Sequence, residues 1–262
     1  MVKGLDLFRE HFRGVGGAFV MIGGTACEAW MSRSGLLFRK TKDLDIVLVI
    51  EALNAVFVER FREFVKAGKY GVRERQDTGK KEFYRFMKPV EPGYPSMMEL
   101  FSGATSAMDL GPGQEIVPIK VEESVASMSA ILMNEDYYNF ILASRYDVDG
   151  ISMVSVNALI PLKARAWLDL INRRSEGKHV DEGDINKHRN DLFRLALTLP
   201  ASLGPGVPEV IQADVREFLG RFPDSSEEWP SINQALKETR RGGRLPTAVE
   251  LRDAVATFFG IA

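Results

Sequence analysis

Asp43 and Asp45, in the run Thr41-Lys42-Asp43-Leu44-Asp45-Ile46-Val47-Leu48-Val49-Ile50, place two carboxylates on alternate positions of an otherwise apolar segment. The continuous apolar, β-branched stretch that follows predicts a strand buried on both faces. Positions i and i+2 of a strand share a side, so both carboxylates project together from its beginning. Like charges at that separation repel and resist desolvation unless a cation lies between them. A divalent metal is the economical cation, and hard carboxylate oxygens suit Mg²⁺. In the bland alternative, one aspartate caps a turn and the other meets an arginine such as Arg39. Upstream, Gly23-Gly24-Thr25 lies between a short apolar run and a helical pattern. Such a turn either brings backbone amides to a phosphate at a helix N-terminus or merely joins strand to helix with Thr25 as N-cap. Taken alone the connector reading wins; with the aspartates downstream, the phosphate reading does.

Three further charged residues sit in apolar surroundings. Glu99 lies within Ser96-Met97-Met98-Glu99-Leu100-Phe101, where a carboxylate is costly unless paired or metal-bound. Beside the Asp43 strand it would be a third metal-site carboxylate or a general base; otherwise it faces outward between Met98 and Leu100. Lys163 follows a helical stripe of Leu159, Leu162, Ala166 and Leu170. It either reaches a triphosphate as a point charge or snorkels to the surface. Asp191 precedes Leu192, Phe193 and Leu195, at the edge of a core helix, either in a site or in a salt bridge to Lys163 or Arg165.

The elements that must position these residues follow from periodicity and turn chemistry. A short helix is predicted within residues 4–13, a strand over Ala18–Ile22, a helix over Thr25–Ser32 and a strand over Asp43–Ile50. An amphipathic helix follows over Ala52–Ala67, with apolar positions 53, 56, 57, 61 and 65. Glu82–Met87 and Met97–Ser102 read as two strands joined through Pro92-Gly93-Tyr94-Pro95. Val117–Val121 is a weaker strand after the Gly111-Pro112-Gly113 loop, and Ile151–Val156 is the last. Ala158–Arg174 is a long helix with Pro161 placed in its first turn, where proline is tolerated. An exposed loop, Ser175–Asp184, leads to a helix over Ile185–Leu199, and helices follow around Ala213–Phe222, Ser231–Arg240 and Ala248–Phe259. The expected class is α/β (α+β): a small mixed sheet with flanking helices over residues 1–157, then a helical domain over 158–262.

The totals bound the function. Apolar residues make up 45% and charged residues 27% of the 262, an ordinary globular composition. A net charge of −2 argues against a protein whose main work is coating nucleic acid, but not against an enzyme that touches RNA locally. The single cysteine, Cys27, excludes an intrachain disulfide and fits a reducing cytoplasm. One cysteine and three scattered histidines make a structural zinc site improbable. No stretch reaches the roughly 18 apolar residues of a membrane span, and the N-terminus reads as helix rather than signal peptide.

Gly-Gly, a short helix, Asp-x-Asp opening a strand and a carboxylate on a following strand resemble the DNA polymerase β-type nucleotidyltransferase superfamily. Within it the chain is most similar to the AbiEii-type nucleotidyltransferases, toxins of abortive-infection and toxin–antitoxin systems. Gly23-Gly24-Thr25-Ala26 and Arg39-Lys40-Thr41-Lys42-Asp43-Leu44-Asp45 match that group's two leading motifs, while Lys163 and Asp191-Leu192 fit its later helices. The resemblance covers residues 18–50 strongly, extends to 96–102 and 151–195, and stops before residue 200. It implies a nucleotidyltransferase-type sheet and transfer of a nucleoside monophosphate from an NTP to a hydroxyl. Asp43, Asp45 and Glu99 would hold Mg²⁺ or Mn²⁺. Gly23, Gly24, Thr25, Arg39, Thr41, Lys42 and Lys163 would bind the nucleotide, and Lys163 and Asp191 would join the catalytic set. The implied acceptor is an RNA 3′ end such as that of tRNA, or a protein hydroxyl, and an antitoxin protein is an implied partner. A catalytically silent NTP-binding module and an antibiotic-type adenylyltransferase are the competing readings.

Overall fold

The computed structural model of the chain describes residues 2–74, 81–104, 116–119, 128–240 and 244–261. The chain divides into two compact units, Met1–Ala26 with Lys40–Val154, and Cys27–Arg39 with Ser155–Ala262. A single boundary after residue 157 does not anticipate that Cys27–Arg39 groups with the C-terminal helices.

The first unit is a mixed sheet with helices. Its strands are β1 (Phe19–Ile22), β2 (Asp43–Leu48), β3 (Gly71–Glu74), β4 (Lys81–Met87), β5 (Met97–Ser102), β6 (Ile116–Ile119), β7 (Met128–Leu132), β8 (Arg145–Val148) and β9 (Ile151–Val154). The main order is β3-β4-β5-β2-β1-β9-β8, with β7 added beside the end of β5 and β6 beside β7. β2 runs antiparallel to β1 and parallel to β5, so it lies between two neighbours in the sheet. Leu44, Ile46, Val47 and Leu48 are all buried, as a strand covered on both faces requires. The helices are α1 (Leu5–His11), α2 (Gly23–Arg33), α3 (Ala55–Ala67) and α4 (Glu135–Ala143). Of α2, only the start belongs to this unit. The core is aromatic: Phe8 stacks on Phe12 at 4.2 Å between ring centres and meets Phe19 and Phe64 edge-on. Edge-on and offset rings satisfy their quadrupoles while burying large apolar area.

The helix expected from Ala52 begins at Ala55, because the Asn54 side chain accepts from the Phe57 amide and caps it. Its buried stripe is Phe57, Val58, Phe61 and Phe64, whereas Val56 points to solvent. The strand expected at Val117–Val121 runs Ile116–Ile119; residues 120 and 121, and the Gly111-Pro112-Gly113 loop, lie outside the described residues. β3, β7, α4 and β8 were not expected.

The second unit contains α5 (Val156–Ser175), α6 (Glu182–Ala196), α7 (Glu209–Gly220), α8 (Trp229–Lys237) and α9 (Ala248–Phe258), with the later turns of α2. α6 starts three residues earlier than expected, since Asp181 accepts from the Gly183 amide at 2.7 Å and Glu182 and Asp184 favour the positive helix start. The Ser175–Asp184 loop shortens accordingly. Pro161 lies beyond the first turn of α5 and is buried, so packing offsets its cost to the helix. Trp167, Phe193, Phe218, Phe222 and Trp229 form this unit's own aromatic core. Among the described residues, no helix is long and apolar enough to cross a membrane.

Candidate functional site

The site in the first unit is built where β1 hands the chain to α2. Ile22, the last residue of β1, pairs with Asp45 of β2. Gly23 follows with φ 63°, and a Cβ there would lie 1.8 Å from the Asp45 Oδ2 atom. Glycine is therefore required twice, by a left-handed backbone and by the carboxylate against it. Thr25 is buried and donates its hydroxyl hydrogen to the Asp43 carbonyl at 2.9 Å. It ties the beginning of α2 to the beginning of β2, a different job from the N-cap considered for it. Asp43 and Asp45 are half-buried on one face, alternating with buried Leu44 and Ile46. Thr41 is half-buried and Lys42 exposed, and the Lys42 carbonyl accepts from the Ser96 amide at 2.9 Å. Replacing Gly23 with alanine should destabilise the protein by about 1–3 kcal/mol and displace Asp45. A fall in the denaturation midpoint of the variant measures the first effect.

The parallel register of β2 and β5 sets Glu99 opposite Asp45, and the antiparallel register of β4 and β5 sets Arg85 opposite Glu99. Residues opposite one another share a face, so Arg85, Glu99 and Asp45 form one row across three strands. Glu99 is 8% exposed, which excludes the outward-facing alternative. Its Oε1 accepts from Arg85 Nε at 2.5 Å and is also contacted by a second guanidinium nitrogen. Among the described residues, no three Asp, Glu, His or Cys side chains gather as a metal cluster. The expected triad of Asp43, Asp45 and Glu99 is thus adjacent by register, but Glu99 is held by an arginine. Sequence reasoning missed Arg85. Its signal was an alternation in β4, with Arg85 between Tyr84 and Phe86.

A second charged cluster lies in the second unit. Asp191, fully buried, accepts from Arg39 Nε at 2.9 Å on Oδ1 and 3.1 Å on Oδ2, and from the terminal Arg39 nitrogen at 2.8 Å on Oδ2. Lys163 Nζ stands 3.1 Å from Asp191 Oδ2, and Arg194, bonded also to Glu238 at 2.9 Å, approaches at 3.4 Å. Lys163 is itself 4% exposed, so neither a snorkelling lysine nor one open to a ligand describes it. The buried stripe of α5 is Leu159, Ile160, Lys163, Ala164, Trp167 and Leu168, rotated from the expected one towards the lysine. Arg165, the other partner considered for Asp191, pairs with Asp214 at 3.2 Å. Burial opposes ionisation of Asp191, but Lys163 and Arg39 hold its carboxyl below the usual range. Burial also opposes the charge on Lys163, and Cys27 and Asp191 overcome it, raising the ammonium above its usual value. Arg39, expected at the nucleotide, is bound to Asp191 in this cluster.

His188 sits beside that cluster. Burial, then Lys163 and Lys187, pushes it down to about 3, against weaker opposite pulls from Asp191 and Asp184. Its Nδ1 has no hydrogen-bond partner among the described residues. A histidine depressed in the folded state takes up a proton on unfolding between about pH 3 and 6.5. Stability should therefore fall as pH drops through that window, by at most about 1.4 kcal/mol per pH unit from this group. His188→Gln should flatten the acid limb between pH 6.5 and about 3 in denaturant titrations.

No family model matches the chain, and neither does any curated protein. What remains is the chemistry of the donor groups themselves. Two half-buried carboxylates on one strand face, one seated in a cradle that any Cβ would fill, fit a hard divalent cation such as Mg²⁺ or Mn²⁺. The amides at the start of α2 lie beside them and fit an anion.

Proposed function

We propose that the chain is a metal-dependent nucleotidyltransferase of AbiEii-like type, moving a nucleoside monophosphate from an NTP to a hydroxyl acceptor. The observation that carries this reading is the Gly23 cradle. It sets Asp45 against the start of a helix, with Asp43 on the same strand face and Glu99 in register alongside. In the reading, Asp43 and Asp45 hold Mg²⁺ or Mn²⁺, which when bound supplies Lewis-acid polarisation of the α-phosphate and neutralises the departing pyrophosphate. The amides at Gly24 and Thr25 orient the terminal phosphates. Glu99 completes the carboxylate set or takes the proton from the attacking hydroxyl. Lys163, Asp191 and Arg39 serve as the internal charge cluster of the second unit. The acceptor proposed is an RNA 3′ end such as that of tRNA, or a protein hydroxyl, in the cytoplasm, with an antitoxin protein restraining the activity.

Incubation with each labelled NTP, Mg²⁺ or Mn²⁺, and a panel of RNA and protein acceptors tests the proposal through pyrophosphate release and label transfer. Transfer to one acceptor class supports it, and no pyrophosphate release with any acceptor counts against it. The Arg85–Glu99 pair favours a second reading, a catalytically silent module that binds NTP. Saturable NTP binding without pyrophosphate release across the same panel would select that reading.

A further inference from the structure

Glu99 carries a fully specified protein cation. Arg85 reaches it from β4, and β4 lies on the opposite side of β5 from β2, the strand of Asp43 and Asp45. Two guanidinium nitrogens meet the same Glu99 oxygen. The carboxylate is thereby anchored to a group rooted away from the aspartates, and no three-carboxylate cluster is found among the described residues. A buried carboxylate without a cation is costly. A residue that must later serve a metal therefore needs a partner while the metal is away. Arginine suits that role, because it stays charged and its planar fork gives directional bonds that can be broken as a unit. The Arg85 side chain is 31% exposed, against 11% for Glu99, so the guanidinium can withdraw to water whereas the carboxylate cannot.

We infer that Arg85 is a positioning residue that holds Glu99 as an internal counter-ion in the metal-free protein and competes with a divalent cation for it. The inference rests on the assignment of Asp43 and Asp45 as the metal pair. It makes metal affinity a property of a residue on a neighbouring strand, set by how readily the Arg85–Glu99 pair opens.

The experiment is Mn²⁺ binding to the full chain, read by electron paramagnetic resonance and calorimetry without nucleotide. Arg85→Gln should tighten Mn²⁺ binding roughly tenfold, because a charge-assisted pair no longer has to be broken for Glu99 to reach the metal. Arg85→Lys, with one nitrogen in place of a fork, should give an intermediate shift and guards against a glutamine variant that fails to fold. Removing a positive charge would by itself attract Mn²⁺, so the decisive comparison is made in a Glu99→Gln background. There Arg85→Gln should tighten binding much less, by the through-space effect of the lost charge alone. An equal tightening with and without Glu99 overturns the inference, and so does unchanged affinity in a folded Arg85 variant. Either result leaves the metal pair standing if wild-type binding is lost in Asp45→Asn. Wild-type Mn²⁺ binding indifferent to Asp45→Asn overturns the metal pair, and the inference with it.

Discussion

Asparagine in place of Asp45 should lower the proposed metal-dependent nucleotidyl transfer by roughly 100- to 1,000-fold or more, the scale seen when one preorganised electrostatic contact to a transition state is lost. The substitution keeps the shape of the side chain, so its packing against Gly23 and the register of β1 on β2 persist. What disappears is the charge. The stabilisation that Mn²⁺ confers on the wild-type protein should disappear in Asp45→Asn. Loss of that increment in a variant that still unfolds cooperatively separates a lost ligand from a damaged fold. Turnover of labelled NTP together with thermal unfolding, each with and without Mn²⁺, reads both. Transfer that survives in the folded variant would remove Asp45 from the metal pair.

Alanine in place of Asp191 should destabilise the protein by about 3–5 kcal/mol, as expected when one partner of a buried ion pair is removed and the other is left behind. Three cations, Lys163, Arg39 and Arg194, converge on that carboxylate. Lys163 has little access to water, so it would lose its proton or draw water inward. Combining Asp191→Ala with Lys163→Met should cost less than the sum of the single changes, and a double-mutant cycle in denaturant measures the coupling. The sign with pH also follows. Asp191 titrates below its ordinary value of 3.8 in the folded protein, so its stabilisation is complete above that pH and is lost as pH falls through the folded value. The His188 effect begins at higher pH, below about 6.5, and runs to about 3, so it sets in before the Asp191 effect and overlaps its start.

Elements with a buried, strongly patterned face were legible from the residues alone: β1, β2, the hairpin of β4 and β5, and the long helices of the second unit. The short edge strand β8 was not, because its residues alternate between exposed and half-buried and offer no apolar stripe. A turn signal was nevertheless present. Asp149 and Gly150 both have positive φ and join Val148 to Ile151 as a two-residue hairpin. α4 also carried one, since Asn134 accepts from the amides of Asp136 and Tyr137. The two aspartates and the glycine turn were readable because i, i+2 spacing and a strand–helix junction are local. The Arg85–Glu99 pair was not, because the register of β4 on β5 depends on the loop between them. Neither was the Arg39–Asp191 pair, which joins residues 152 apart.

The later part of α2 and the segment to Arg39 belong with helices that begin at Ser155, and this bears on how the protein is made. Trp30 donates to Thr198 and Leu37 to Thr239, so the ribosome releases Cys27–Arg39 long before their partners exist. At about 5–20 residues per second, Arg39 waits on the order of ten seconds or more for Asp191. Through that interval the Trp30–Thr198 and Leu37–Thr239 hydrogen bonds cannot yet form. No single cut in the gene yields two complete halves, because the path crosses between the units after Ala26, after Arg39 and after Val154. A C-terminal piece starting at Ser155 would be born without Arg39, with Asp191 short of its bidentate partner.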